Sequence, residues 1–205
     1  MSTLKPISIT DDHWLLGATQ LPLPGGSALP VRRFLVIHFT SGATARSSVE
    51  FWRSPEAKGA CAHVIIDRDG TIYQCRPFNR TCGHAGKSTW RDPHTGVRYD
   101  GLNACAIGIE LANAGDDPDL ARRWSKLPLL TARHKNGGPV EQWERFTDEQ
   151  LAACEAVSKA LVARYHLDDV IGHDDIAPDR KNDPGPAFPM QALREACGFQ
   201  GMPKA

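Results

Sequence analysis

Three residues of this chain have the side-chain types of a metal site. His38 lies near the end of the apolar run FLVIHFT at 34–40, and His173 and Asp183 stand on either side of a polar loop, GHDDIAPDRKNDPGP at 172–186. The run is β-branched and aromatic, which marks a buried strand, and functional groups of α/β sheets emerge at strand C-termini. The loop is rich in Asp, Pro and Gly and has little core to build, so its polar side chains need another purpose. Imidazole nitrogen and carboxylate oxygen are both zinc donors, and a catalytic zinc takes three protein ligands plus water. Spacing alone leaves two readings open. One histidine and a distant His-x9-Asp pair are either a ligand set or incidental polar residues.

The elements that must hold these residues are legible in part. A chain of 205 residues is long enough for one well-buried core. With 41% hydrophobic and 23% charged residues it has the composition of a globular protein. Lys plus Arg and Asp plus Glu are equal at 24 each, so no basic excess points to nucleic acid or an anionic membrane. The first twenty residues lack the basic start and apolar run of a signal peptide, and no stretch nears the roughly 20 apolar residues of a membrane span. The expectation is a cytoplasmic protein, or one that leaves the cell by a route needing no cleaved signal.

Residues 1–31, Pro- and Gly-rich around LPLPGGSALP, read as an extended N-terminal arm, and 32–200 as a single domain. After the strand at 34–40, SSVEFWRSP predicts a short helix ended by Pro55. AHVIIDRDGTIYQC at 62–75 predicts a hairpin turning at Asp69-Gly70, and NACAIGIELAN at 103–113 contains another buried strand. Residues 114–146 are polar without a steady period and read as a long surface insertion. Thr147 and Gln150 form a capping box for a helix with apolar residues at 151, 154, 157, 161 and 162 on one face. A short strand at 168–171 and a helix near 188–197 complete an α/β fold, a central mixed β-sheet flanked by helices. The six cysteines are scattered singly without a CxxC pair, and read as free thiols. Cys75 and Cys82, close in sequence, are the one pair considered for a disulfide.

In chain order, FLVIHFT, AHVIIDRDG, HAG, NACAIGIELAN and GHDDIAPDRKNDPGPAFP resemble the motif series of the zinc-dependent N-acetylmuramoyl-L-alanine amidases. These are AmpD-type enzymes related to phage T7-type lysozyme and peptidoglycan recognition proteins. The likeness runs over about residues 32–198, with an atypical middle. It implies that His38, His173 and Asp183 are the zinc ligands, that Glu110 is the catalytic acid-base and that Lys181 is the catalytic lysine. In physical terms, zinc lowers the pKa of a bound water towards about 7. A carboxylate beside the metal suits the water's proton, and a lysine suits the oxyanion of the tetrahedral intermediate.

The same resemblance implies that His63 and His84 face the substrate, against the alternative of a packed or surface histidine, with Gly83 where the family commonly has Trp. Asn103 and Asn113 flank the Glu110 strand and are candidates for hydrogen bonds to the muramyl or peptide part, against the alternative of turn residues. In the insertion, Arg122, Arg123, Trp124, Arg133 and Trp143 suit one wall of a groove, against the alternative of a decorative surface loop. His13, His94, His134 and His166 match nothing in the family and read as ordinary surface or insertion residues. The implied partner is peptidoglycan or a muropeptide fragment, with no nucleic acid and no membrane insertion. Phe39, in an HFT stretch, resembles members that attack intact wall more than the HN form of cytoplasmic recyclers. An endolysin or a delivered effector therefore stands beside a recycling enzyme. The rival from another class is a non-catalytic peptidoglycan-binding module, but all three ligand positions are filled. A zinc peptidase of unrelated fold would carry HExxH on a helix, and that run is absent.

Overall fold

Every residue of the run 34–39 is buried, the pattern of a strand covered on both faces. The computed structural model describes residues 7–200. The elements begin with β1 (Thr19–Gln20), β2 (Phe34–Phe39) and α1 (Ala45–Arg53), followed by β3 (Val64–Ile66) and β4 (Ile72–Gln74). Next come β5 (Thr89–Arg91), β6 (Arg98–Asp100) and β7 (Ala106–Leu111). The segment after β7 holds α2 (Pro118–Trp124), β8 (Leu130–Arg133) and β9 (Val140–Trp143). Then follow α3 (Asp148–Tyr165), β10 (Asp169–Gly172), α4 (His173–Ile176) and α5 (Met190–Ala196).

Six strands form one mixed sheet in the order β1-β4-β3-β7-β2-β10. Only the β3–β4 hairpin is antiparallel; β1 with β4, β3 with β7, β7 with β2 and β2 with β10 are parallel. The expected α/β sheet flanked by helices is therefore present. Side chains alternate between the faces of a strand, and the two faces of this sheet differ in character. Leu35, Ile37, Ile107 and Ile109 join Val157 and Leu161 of α3 in the largest core cluster. On the opposite face Phe34, Val36 and Ala106 pack with Ile171 and Ile176, and Ile65 packs with Ala45 and Val49 of α1.

The local signals behave as their chemistry requires. The Thr44 hydroxyl accepts from the Ser47 amide at the start of α1, and Thr147 with Gln150 makes the capping box of α3. The polar segment 114–146 is not an irregular surface loop. It carries α2, N-capped by Asp117, and the β8–β9 hairpin. Its end is part of the core, since Trp143 and Phe146 are buried in the main cluster. The arm is anchored by buried Leu15, Leu23 and Leu29 and by β1, which adds an edge strand beside β4. Residues 1–6 of the arm lie outside the described residues. All six cysteines are free thiols, so the Cys75–Cys82 pair is not bonded.

Candidate metal centre and its cleft

Strand alternation brings the first two site residues together. Phe34, Val36 and His38 share one face of β2, and Ala106, Gly108 and Glu110 share the same face of β7. His38 and Glu110 are register partners, so an imidazole and a carboxyl stand side by side at the C-terminal ends of adjacent strands. On the other flank β10 pairs with β2 up to Gly172 opposite Ile37, which delivers His173 beside His38. Asp183 returns to the same place because its carbonyl accepts the Asp174 amide at 2.8 Å.

The three donors form a triangle. His38 Nδ1 is 2.9 Å from His173 Nδ1 and 2.8 Å from Asp183 Oδ2, and His173 Nδ1 is 3.0 Å from that oxygen. Donors about 2.0–2.1 Å from one tetrahedral ion stand about 3.3 Å apart, so the triangle needs to open by only a few tenths of an ångström, roughly, to hold zinc. The hydrogen-bond pattern sets the tautomers that coordination requires. His173 Nε2 donates to the Ala85 carbonyl at 3.2 Å, which leaves its Nδ1 lone pair facing the triangle. His84 Nε2 donates to the Ala106 carbonyl, so its Nδ1 accepts from His38 Nε2 at 3.1 Å and frees the His38 Nδ1 lone pair. Two lone pairs and a carboxylate oxygen at this separation repel one another unless a cation sits among them. The donor set fits a divalent ion.

Electrostatics agree. Burial, helped by His173, lowers the His38 pKa to about 4, so the ring is neutral at physiological pH. Burial works against ionisation of Asp183, yet its close contacts with His173 and His38 hold it well below the ordinary carboxylate range. Glu110 is different. Burial and the nearby Asp183 push its pKa up to about 8, and its Oε2 is buried without a hydrogen-bond partner. A buried carboxyl oxygen with nothing to bond is a group waiting for something to arrive.

These residues open on a cleft of about 370 Å³ that is also lined by Phe51, Trp52, Cys61, His84, Arg180 and Lys181. Lys181 thus reaches the same space as the triangle and Glu110. His63 does not line it: the ring is fully buried, its Nδ1 accepts the Gly108 amide at 3.0 Å and its Nε2 donates to the Arg80 carbonyl at 2.8 Å. Asn103 lies in a neighbouring depression, where its Oδ1 accepts the His84 and Ala85 amides at 3.1 and 2.7 Å. Asn113 is turned inward, its Oδ1 accepting the Gly115 amide and its Nδ2 donating to the Glu144 carbonyl. Arg122, Arg123, Trp124, Arg133 and Trp143 all lie away from the lining of this cleft.

The segment 114–146 has a different task near the site. His134 donates from Nε2 to Asp174 at 3.0 Å, and Lys135 pairs with Asp174 and Asp175 at 2.8 and 2.6 Å. The turn of the β8–β9 hairpin thereby grips the residues that follow His173. His134 reads from sequence as an ordinary surface or insertion residue, because its partner lies 40 positions away. Arg180 was also missed; its Nη2 donates to the Ala85 and Lys87 carbonyls at 3.0 and 2.8 Å and ties the HAG loop to the loop of Asp183.

Three convergent donors beside an unpartnered carboxyl, in an open cleft at strand C-termini, have the make-up of a mononuclear metal hydrolase. The chain belongs to the N-acetylmuramoyl-L-alanine amidase family, whose sequence profile matches residues 27–186. It is 31% identical to the N-acetylmuramoyl-L-alanine amidase AmiD of Escherichia coli K12 over 82% of this chain and 54% of that protein. It is 30% identical to the 1,6-anhydro-N-acetylmuramyl-L-alanine amidase AmpD of the same organism over 91% of this chain and 95% of that one. The chain therefore spans about half of AmiD and nearly all of AmpD. Among solved structures, E. coli AmiD in complex with anhydro-N-acetylmuramic acid-L-Ala-D-gamma-Glu-L-Lys superposes with a TM-score of 0.63 at 29% identity, covering 98% of this chain and 68% of that one. A selenomethionine AmpD derivative gives 0.62 at 28% identity, covering 91% and 99%.

Proposed function

We propose that this chain is an N-acetylmuramoyl-L-alanine amidase that holds zinc on His38, His173 and Asp183. Its reaction is hydrolysis of the amide between the lactyl group of N-acetylmuramic acid and L-Ala of the stem peptide, in peptidoglycan or its muropeptide fragments. The observation that carries the reading is the donor triangle with the unpartnered Glu110 oxygen in the same cleft. A binding module without catalysis has no use for that arrangement.

Held by His38, His173 and Asp183, zinc would supply Lewis acidity and would lower the pKa of a water. Glu110 Oε2, buried without a partner in the same cleft, takes the proton of the attacking water and hands it to the leaving amine nitrogen. Lys181 brings an ammonium group to the cleft and meets the negative charge that develops on the carbonyl oxygen. His84 keeps His38 in the coordinating tautomer, and Arg180 holds the Ala85 carbonyl that does the same for His173. Phe51 and Trp52 offer aromatic surface on the cleft wall for the apolar face of a sugar ring.

Mass spectrometry of products tests this directly. The zinc-loaded protein should release free stem peptide beginning with L-Ala, and Glu110→Gln should abolish release while keeping its zinc. Products cut at a glycosidic or peptide–peptide bond would refute the assignment. Running soluble anhydro-muropeptides against purified sacculi decides the size of the substrate. Among the described residues no helix is long and apolar enough to cross a membrane. Action on soluble fragments fits a recycling enzyme, and action on sacculi fits an enzyme that works on the intact wall.

A further inference from the structure

Arg76 is 7% exposed and has no carboxylate partner among the described residues. Its Nη1 donates to the Thr81 carbonyl at 2.6 Å and to Cys61 Sγ at 3.3 Å, its Nη2 donates to the Pro24 carbonyl, and its Nε bonds nothing. A guanidinium keeps its charge when buried, and a buried charge requires a counter-charge. The titratable group within its reach is the Cys61 thiol. That sulfur also accepts the Gly83 amide at 3.4 Å and a hydrogen bond from the Cys82 thiol. Three donors converging on one sulfur are the environment of a thiolate. Its neighbours show the contrast. Hydrogen bonding from Cys82, working against burial, draws Cys61 down to about 6, whereas burial pushes Cys75 up to about 12 and Cys82 well above the ordinary range.

Cys61 is 5% exposed, and it lines the same cleft as His38 and Glu110. The hydrolytic mechanism gives it no work. We propose that Cys61 is a redox-modification site, a cleft-facing thiolate paired with Arg76 that hydroperoxides oxidise, with Cys82 as the resolving thiol. The thiolate sulfur attacks the terminal peroxide oxygen, the O–O bond breaks, and alkoxide (hydroxide from hydrogen peroxide) leaves, giving Cys61 sulfenic acid. Cys82 then loses its proton and attacks that sulfur; the S–S bond forms, the S–O bond breaks, and the hydroxide departs with the proton as water. Two thiols are oxidised by two electrons and one hydroperoxide is reduced. This chemistry stands apart from the amidase reading, so either can fail without the other.

The test uses the full-length, zinc-loaded protein and a brief pulse of limiting iodoacetamide at pH 7, read by peptide mass spectrometry. Cys61 should be labelled at least about tenfold faster than Cys105 and Cys197, which are more exposed but whose pKa values burial raises. Stoichiometric hydrogen peroxide should yield a Cys61–Cys82 cross-linked peptide that dithiothreitol reverses. In Cys82→Ser, peroxide should leave a sulfenic acid on Cys61 that dimedone traps. Arg76→Met should slow labelling of Cys61 about tenfold; if that variant does not fold, the Cys82→Ser trapping decides. The proposal is overturned if Cys105 or Cys197 is labelled first. It is equally overturned if peroxide gives neither the cross-link in the wild type nor the dimedone adduct in Cys82→Ser.

Discussion

Gly108 is the position where a single methyl group should loosen the metal without touching it. It lies in the middle of β7, under the ring of His84. A Cβ there would stand 2.6 Å from His84 Cγ, 2.8 Å from Nδ1 and 2.9 Å from Cδ2. Carbon contacts settle at about 3.5–4.0 Å, so the ring has to move by roughly 1 Å. The backbone around it resists following, because Asn103 Oδ1 holds the amides of His84 and Ala85. The displaced ring gives up the hydrogen bond that orients His38. Losing such an outer-shell partner of a ligand histidine weakens metal binding about 10–100-fold. Overpacking itself costs about 1–3 kcal/mol, or about 2–4 °C of Tm per kcal/mol in a chain of this size. The amide of residue 108 still donates to His63, so the sheet stays intact. Chelator competition gives the zinc Kd of Gly108→Ala, and calorimetry of the metal-free protein gives its stability. A destabilised variant with an unchanged Kd would refute the role of His84 in orienting His38. An unchanged Tm together with an unchanged Kd would refute the packing itself.

Other outcomes follow from the same contacts. Lys181→Met should lower kcat on a muropeptide by about 10²–10³-fold at full zinc content; an unchanged kcat would remove Lys181 from the chemistry. Glu144, 2% exposed, accepts from Arg68 Nε and Nη2 at 2.7 and 2.9 Å, and Arg68 is held in place by the Ala43 carbonyl. Glu144→Ala should therefore cost about 3–5 kcal/mol in urea unfolding, and Arg68→Met with Glu144→Met should cost less than Glu144→Ala alone. Burial lowers His63 to about 4 from its ordinary 6.5. The unfolded chain takes up this proton near 6.5 and the folded chain only near 4, so stability is lost as pH falls through that window. His63→Gln should flatten the dependence of the urea midpoint between pH 6.5 and 4.5 by up to about 1.4 kcal/mol per pH unit. Parallel curves for the two proteins would contradict this.

Much of the site's framework could be read from local chemistry. The 34–39 strand, the hairpin at Asp69-Gly70 and the capping box at Thr147 each rest on neighbouring residues, and each is present. The adjacency of His38 and Glu110 follows from two strands whose polar residue occupies the same position of the alternation. The 114–146 segment resisted reading for a physical reason. Its hairpin is half exposed and its strands carry few apolar residues, so alternation is faint, although Asn136-Gly137-Gly138 is a turn signal. The burial of Trp143 and the pairing of His134 with Asp174 depend on where a distant helix and loop come to rest. Nothing within a short window encodes them. The same holds for Cys61, which local pattern marks only as a small apolar residue. Its partners Arg76 and Gly83 reach it by tertiary folding.

The most direct measurement is a zinc titration of metal-free protein, with bound metal and release of stem peptide from a defined muropeptide followed in the same samples. One zinc per chain is expected, with activity rising in step and saturating at that ratio. Asp183→Ala should leave zinc weakly bound and the substrate uncleaved. Full activity in the metal-free protein, or unchanged zinc affinity and turnover in Asp183→Ala, would contradict a catalytic zinc on His38, His173 and Asp183.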